Sequence, residues 1–208
     1  GGEYFARMDH DDVSYPERFA RQLALLESNP ELDVVAVRAA IISDDNELLG
    51  TLPGPLTHGE ICAKPWLGFY FPHPTWMGKT AWFRAHRYAS PGPYFCEDQE
   101  LLLRNHATSR FATVDRILFA YRVRTKINWK KQAKTRWTLF NIQLRYFLNT
   151  GQYHFVSLAL AAFVGRVVLD LFTVLRQVLV GRQYSKVTVD SAASSKWHEV
   201  LKETHGKS

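Results

Sequence analysis

Several groups of residues in this chain could do chemistry, and the densest lies near the start, where Asp9, His10, Asp11 and Asp12 follow a short apolar run. Carboxylates at alternating positions after a strand can converge on one hard divalent cation, which takes oxygen ligands and commonly bridges to substrate phosphates. Asp9 and Asp11 have that spacing, with Asp12 adjacent. The same residues also suit a solvated acidic turn that caps the helix after it. Further along, His73 stands between Pro72 and Pro74, Glu97 and Asp98 sit side by side where a helix should begin, and Arg104 and Arg122 offer guanidinium forks. A neutral imidazole can ligate a metal or donate to a phosphate; it can equally hydrogen-bond within its own loop. A guanidinium fork suits diphosphate oxygens, and it suits a carboxylate at the edge of a core just as well. At a helix N-terminus the macrodipole lowers a carboxylate's pKa and keeps it ionised, so Glu97 and Asp98 are either poised anions or helix caps.

The elements that must position these groups follow from periodicity. Tyr4 to Met8 is short and β-compatible, which puts the acids on a loop at a strand's C-terminal end, where α/β sheets bind ligands. Ser14 and Glu17 have capping-box spacing, Pro16 fits a first turn, and Phe19, Leu23 and Leu26 keep helical spacing until Asn29-Pro30. Asp33 to Ile42 is β-branched and nearly continuous, which predicts a buried strand, with a turn at Asp44-Asp45-Asn46. Thr57 and Glu60 form a second capping box. Pro72 and Pro74 predict an extended loop around His73. Glu97 to His106 predicts a helix, and Arg110 to Val114 with Ile117 to Val123 predicts a hairpin. Strands alternating with helices up to about residue 123 indicate an α/β layer domain.

Composition sets the wider frame. The 208 residues are 46% hydrophobic and 22% charged, which excludes a disordered tail. Cys62 and Cys96, with no CxxC pairing, suit a reducing compartment and speak against a disulfide framework or a zinc site. The chain opens Gly1-Gly2-Glu3, without an initiator methionine or a leader, and reads as a piece of something longer. The net charge of +6 has an obvious source: from Arg116 through Leu169 there are ten Lys or Arg and no Asp or Glu, densest at Lys126, Lys130, Lys131, Lys134 and Arg136. Phe155 to Val180 is strongly apolar but carries Arg166, Asp170 and Arg176, which leaves less than the roughly 18 uncharged residues of a spanning helix and predicts an amphipathic or monotopic one. Ser191 to Ser195 reads as a linker in a polar tail, before a short helix around Trp197.

Four segments, in order, carry a resemblance. They are the opening Gly2-Glu3-Tyr4-Phe5-Ala6-Arg7-Met8-Asp9-His10-Asp11-Asp12 with Pro16 to Gln22, then Phe71-Pro72-His73-Pro74-Thr75-Trp76-Met77, then Tyr94 to Leu101, then Ala120-Tyr121-Arg122-Val123. This set, spanning residues 1 to about 124, resembles the second half of a family 2 glycosyltransferase. The resemblance implies a partial GT-A, Rossmann-like sheet with flanking helices, followed by a helical basic and apolar region over 125–184 and a polar tail over 185–208. It implies inverting transfer of a sugar from a nucleotide-diphosphate donor to an acceptor hydroxyl, as in bacterial cell-surface or exopolysaccharide assembly. The family's D-x-D motif falls on Asp9 and Asp11, making Asp11, Asp9 and Asp12 the candidate Mg²⁺ or Mn²⁺ ligands and Asp9 a donor contact. Its Glu-Asp pair falls on Glu97 and Asp98, with Asp98 as general base. His73, Arg104 and Arg122 become candidates for donor phosphates.

Two departures stand out. Relatives often have a histidine shortly after the Tyr-Arg pair, where this chain has Arg124, and the family's N-terminal half that grips the nucleotide has no counterpart here. A sheet without that half would expose an edge and turn over weakly or not at all. The basic segment followed by the apolar helix suits a peripheral enzyme at the cytoplasmic, anionic face of a membrane, acting on a saccharide or lipid-linked saccharide. Two other classes stay open: an inactive truncated homologue, or a non-catalytic membrane-associated scaffold. A nucleic-acid binder would use the same charge with Trp129, Trp137 and Tyr146 as stacking groups, but no nucleic-acid motif is present and the acidic cluster would go unexplained.

Overall fold

The computed structural model describes residues 2–123, 128–180 and 191–205. Arg124 and Lys126 lie outside these residues, as does the start of the polar tail. The framework is a six-stranded mixed sheet. Its centre is the predicted strand β3 (Val34–Ile42), which pairs in parallel along its length with β6 (Phe111–Arg122). On the other side of β3, β5 (Met77–Lys79) pairs antiparallel with its start and β4 (Leu48–Thr51) with its end. The short strands β1 (Tyr4–Ala6) and β2 (Val13–Ser14) close the order β1-β5-β3-β6-β2 at opposite edges. Gly78 is needed in β5, because a Cβ there would come within 2.3 Å of the Asp33 carbonyl oxygen.

β3 is hydrophobic on both faces because both are covered. Val34 and Ala36 join one buried cluster with Leu101, Leu102 and Leu103 of α4 (Glu97–Asn105), Phe147 of α5 (Trp129–Asn149) and Ala159 of α6 (Tyr153–Val180). Val35 points to the other face, toward Leu26 of α1 (Arg18–Ser28), and Val37 and Ala39 pack with Trp197 of α7 (Ser191–His205). The basic and apolar region and the tail helix thus share the core of the sheet domain. The remaining helices are the short α2 (His58–Ile61) and α3 (Thr80–Ala85).

Several expectations change here. The predicted hairpin at 110–123 is one strand, and the apparent turn at Asp115-Arg116 is an irregularity. Val37 faces Val114 but Arg38 faces Ile117, and Arg38 pairs with Asp115 at 3.0 Å across the bulge. The Thr57–Glu60 capping box forms, whereas the Ser14–Glu17 box does not. Ser14 is committed to β2, and Glu17 is the N-cap without a side-chain bond. The buried stripe of α1 is Arg18, Gln22 and Leu26, while Phe19 is exposed. Pro72 and Pro74 hold His73–Thr75 in a single 3₁₀ turn. Residues 191–195 are the first turns of α7 and not a linker.

Candidate active site

The acidic residues occupy the turn between β1 and β2, which carries the chain from one edge of the sheet to the other past the C-terminal ends of β3 and β6. Three arginines fix that turn. Arg122, the last residue of β6, donates from its backbone N–H to Asp12 Oδ1 (2.8 Å). Its side chain donates to the carbonyls of Asp11 (2.8 Å), Ser43 (2.6 Å) and Asp44 (3.2 Å) and to Asn46 Oδ1 (2.8 Å). These bonds use most of the guanidinium's donors, so Arg122 straps the acidic turn to the β3–β4 turn instead of facing phosphate. Arg7 pairs with Asp9 at 3.2 Å, and its charge is felt at the Tyr88 phenol.

Arg18 lies fully buried between the rings of Phe19 and Phe119. It donates to the carbonyls of Arg7 (2.6 Å) and Pro74 (3.1 Å) and to Gln22 Oε1 (3.0 Å). Gln22 continues the network to the carbonyls of Thr75 (2.7 Å) and Val35 (3.1 Å). Burial lowers the Arg18 guanidinium to about 10, with the Asp12 charge acting in the opposite sense. One residue therefore ties the acidic turn to the His73 turn. Sequence reading missed it because an apolar stripe was expected where a polar one is buried; the i, i+4, i+8 spacing of Arg18, Gln22 and Leu26 was its only signal.

Asp12 is buried, and its Oδ2 makes no hydrogen bond among the described residues. Burial above all, then the charges of Asp11 and Asp9, push its carboxyl up to about 6 against the pull of the Arg122 N–H and the Arg122 charge. Asp11 is exposed and Asp9 half-exposed beside Arg7.

Asp98, half-buried in the first turn of α4, receives a hydrogen bond from Gln99 Nε2 at 3.1 Å. Gln99 also accepts from the Phe69 N–H (2.8 Å) and donates to the Phe69 carbonyl (3.2 Å), anchoring Asp98 to the 67–71 loop. The expected lowering of this carboxyl by the helix N-terminus does not prevail. Burial raises it, with Glu97 adding to the rise and Gln99 opposing it. His73 Nε2 lies 2.7 Å from the Tyr88 hydroxyl, and burial with the neighbouring Arg7 charge holds the imidazole down near 3, so it is neutral at physiological pH.

Two tyrosines lie within electrostatic range of these groups. The phenol of Tyr121 is pushed up first by burial and then by the charges of Asp12, Asp9, Asp11 and Asp98, while Tyr88 feels Arg7, Asp98 and Glu97. Geometry joins Asp9 to Arg7, Asp11 and Asp12 to Arg122, and His73 to Tyr88, and Glu97 and Asp98 lie near enough for their charges to be felt at Tyr88. Arg104 is not among them. It forks onto Glu100 at 2.8 and 3.0 Å and donates to the Arg87 carbonyl (2.9 Å).

Among the described residues no three His, Cys, Asp or Glu side chains form a metal cage. The donors that are present still fit a hard divalent cation held in the substrate-bridged manner, by one or two carboxylates completed with phosphate oxygens. They are the unpartnered Asp12 Oδ2 and the exposed Asp11 carboxylate.

No family model matches the chain. Over 147 residues, 69% of its length, it is 31% identical to the O-antigen biosynthesis glycosyltransferase WbnJ of Escherichia coli, of which the match covers 56%. Among solved structures, residues 1–349 of TarS from S. aureus align with a TM-score of 0.49 and 13% identity, over 98% of this chain and 55% of that one. The chain spans little more than half the length of both.

Proposed function

We propose that this chain carries the acceptor and metal side of an inverting glycosyltransferase, which moves a sugar from a nucleotide-diphosphate donor to an acceptor hydroxyl in cell-surface polysaccharide assembly. The observation that carries this reading is the arginine-braced acidic turn with its buried, unpartnered Asp12 Oδ2, near enough to the Gln99-held Asp98 that the charges of both raise the Tyr121 phenol after burial does. The similarity to an O-antigen biosynthesis glycosyltransferase supports it, and the ordered motifs point to family 2.

Each group has a task in that reaction. Inversion needs a base on the face of the sugar opposite the leaving group, and Asp98, on a different element from the acidic turn, accepts the acceptor hydroxyl's proton. Its raised pKa brings its basicity toward that of a hydroxyl being activated near neutral pH, and the Gln99 clamp fixes its direction. Arg7 lies where negative charge on a leaving diphosphate can be met, and neutral His73, oriented by Tyr88, can donate to a phosphate oxygen. Mg²⁺ or Mn²⁺ on Asp11 and Asp12, with Asp9 beside them, would supply Lewis-acid stabilisation of the departing diphosphate.

The α5–α6 pair supports a place at a membrane. Tyr153–Arg176 is long and apolar enough to cross a bilayer by length and composition, with a mean hydropathy of 2.1 and only 6% of it buried. Two of the three charges expected to interrupt it are taken up inside: Arg166 donates to the Leu67 carbonyl, and Asp170 accepts from Arg136 and Gln132 of α5, while Arg176 at the end of the span is exposed. The apolar side chains left outside include Leu160, Val168, Leu169, Leu171, Phe172 and Leu175. With the basic residues of α5 beside it, this face suits the anionic inner leaflet.

The test is Asp98→Asn in the complete protein that carries this chain. Transfer should fall by about 10²- to 10⁴-fold, while binding of the nucleotide-diphosphate donor is unchanged. Retention of most of the activity excludes Asp98 as base.

A further inference from the structure

A cavity of about 590 Å³ opens between the Ala89–Pro93 loop, α4 and α5, away from the acidic turn. Its chemistry is mixed in a particular way. Trp137 and Tyr146 present aromatic surface, and Trp137 is 56% exposed although its ring rests against Phe163 of α6. Glu100 and Arg104 enter as a matched pair, their charges cancelled by the fork between them. Arg145 is different: it lines the cavity and, among the described residues, makes no hydrogen bond or ion pair. The Thr138 and Tyr146 hydroxyls and Asn141 Oδ1 likewise have no protein partner among the described residues; Asn141 uses its Nδ2 on the Trp137 carbonyl at 2.7 Å.

Flat aromatic surface, several open hydroxyl and amide groups and one uncompensated guanidinium together fit a polyhydroxylated ring that carries one negative charge. An aromatic face covers the apolar side of such a ring, the hydroxyl and amide groups meet its hydroxyls, and a guanidinium takes a carboxylate or phosphate in bidentate fashion. An apolar ligand would leave Arg145 and Asn141 unanswered, and a bare inorganic anion would leave Trp137 and Tyr146 unused. Arg104 lies six residues beyond Asp98 on α4, about 9 Å along the helix axis, so the cavity is within reach of a short saccharide docked at the proposed base.

We infer that this cavity is a subsite for an anionic sugar unit of the acceptor saccharide. The inference rests on the transferase reading for the identity of the incoming molecule, but its test does not use turnover. Methyl β-D-glucuronide and methyl β-D-glucoside are titrated into the protein by saturation-transfer NMR, with wild type, Arg145→Ala, Trp137→Ala and Asp98→Asn compared. Both cavity side chains are exposed, and unchanged circular dichroism confirms that the variants fold. The glucuronide should bind about tenfold or more tightly than the glucoside. Arg145→Ala should reduce it to the glucoside's level, Trp137→Ala should weaken both, and Asp98→Asn should change neither. Equal binding of the two glycosides, indifference to Arg145→Ala or Trp137→Ala, or no binding of either overturns the inference. Displacement of the glucuronide by an equal concentration of inorganic phosphate reduces the cavity to a general anion site and overturns it as well. Loss of transfer in Asp98→Asn is scored separately, so failure of the transferase reading leaves the binding result interpretable.

Discussion

Replacing Asp12 by Asn should make the metal-free protein more stable at neutral pH. The carboxyl is raised from 3.8 to about 6 by burial and by Asp11 and Asp9, so at neutral pH the fold holds an anion it disfavours. For an acid whose folded pKa is raised, the native state binds more protons than the unfolded chain between the two values. Its contribution is therefore most favourable below about pH 4 and declines as pH rises through about 6. A rise of about two pKa units corresponds to about 3 kcal/mol at full effect. Asn keeps an oxygen to accept from the Arg122 N–H and removes the charge, while its amide takes the place of the unpartnered Oδ2. The gain should be near zero at pH 4 and grow to at most about 3 kcal/mol at pH 7.5, somewhat less because buried Arg18 loses Asp12's attraction. The assay is urea unfolding of both proteins in chelator at pH 4, 5, 6 and 7.5. His73, depressed near 3 in the fold, destabilises both proteins equally as pH falls below its unfolded value and cancels in the difference. Millimolar Mn²⁺ at pH 7.5 should then stabilise wild type more than Asp12→Asn. A variant no more stable at pH 7.5, or a difference that does not grow from pH 4 to pH 6, refutes the account.

Arg18→Ala should destabilise the fold by about 3 kcal/mol or more, since it leaves the carbonyls of Arg7 and Pro74 without their donor in a buried network; a urea midpoint within error of wild type contradicts this. Gly78→Ala should lower soluble yield or stability by several kcal/mol because its Cβ would meet the Asp33 carbonyl oxygen at 2.3 Å, whereas Gly59→Ala, with nothing within 4 Å, should be neutral or slightly stabilising. The protein should float with vesicles containing anionic phosphatidylglycerol, and the triple change Leu171→Ser, Phe172→Ser, Leu175→Ser should release most of it; equal flotation would remove α6 from the membrane surface.

The central strand was legible because one run from Val34 to Ile42 meets packing partners on both faces, and a two-sided burial leaves a continuous apolar signature. The Thr57–Glu60 cap was legible because it is local, closed within four residues. Some of what misled was local, as with Arg104 forked onto Glu100 four residues away, but the larger errors were long-range. Asp115-Arg116 reads as a turn until Arg38, 77 positions earlier, is seen to pair with it. Arg122 reads as a phosphate ligand until four acceptors from two separate turns are found around it. Motif order nominated Asp9, Asp11, His73 and Asp98, but the residues the structure places against them, Arg7, Arg18, Tyr88 and Gln99, belong to no pattern a linear reading can weigh.

The energetics of the acidic turn bear on what the site is for. Arg122 and Arg18 hold the turn from below, through backbone carbonyls and a backbone N–H, and leave the Asp12 Oδ2 without compensation. A turn selected only to connect β1 and β2 could relieve that cost with a single neutral residue at position 12. Retaining a buried carboxylate beside Asp11 and Asp9 is favourable only when positive charge arrives from outside the chain. Asp98, raised by burial, is likewise held by a hydrogen bond, from Gln99. On the transferase reading proposed above, a carboxylate turn braced by arginines and a second carboxylate fixed by Gln99 would receive a cation and a proton at different points.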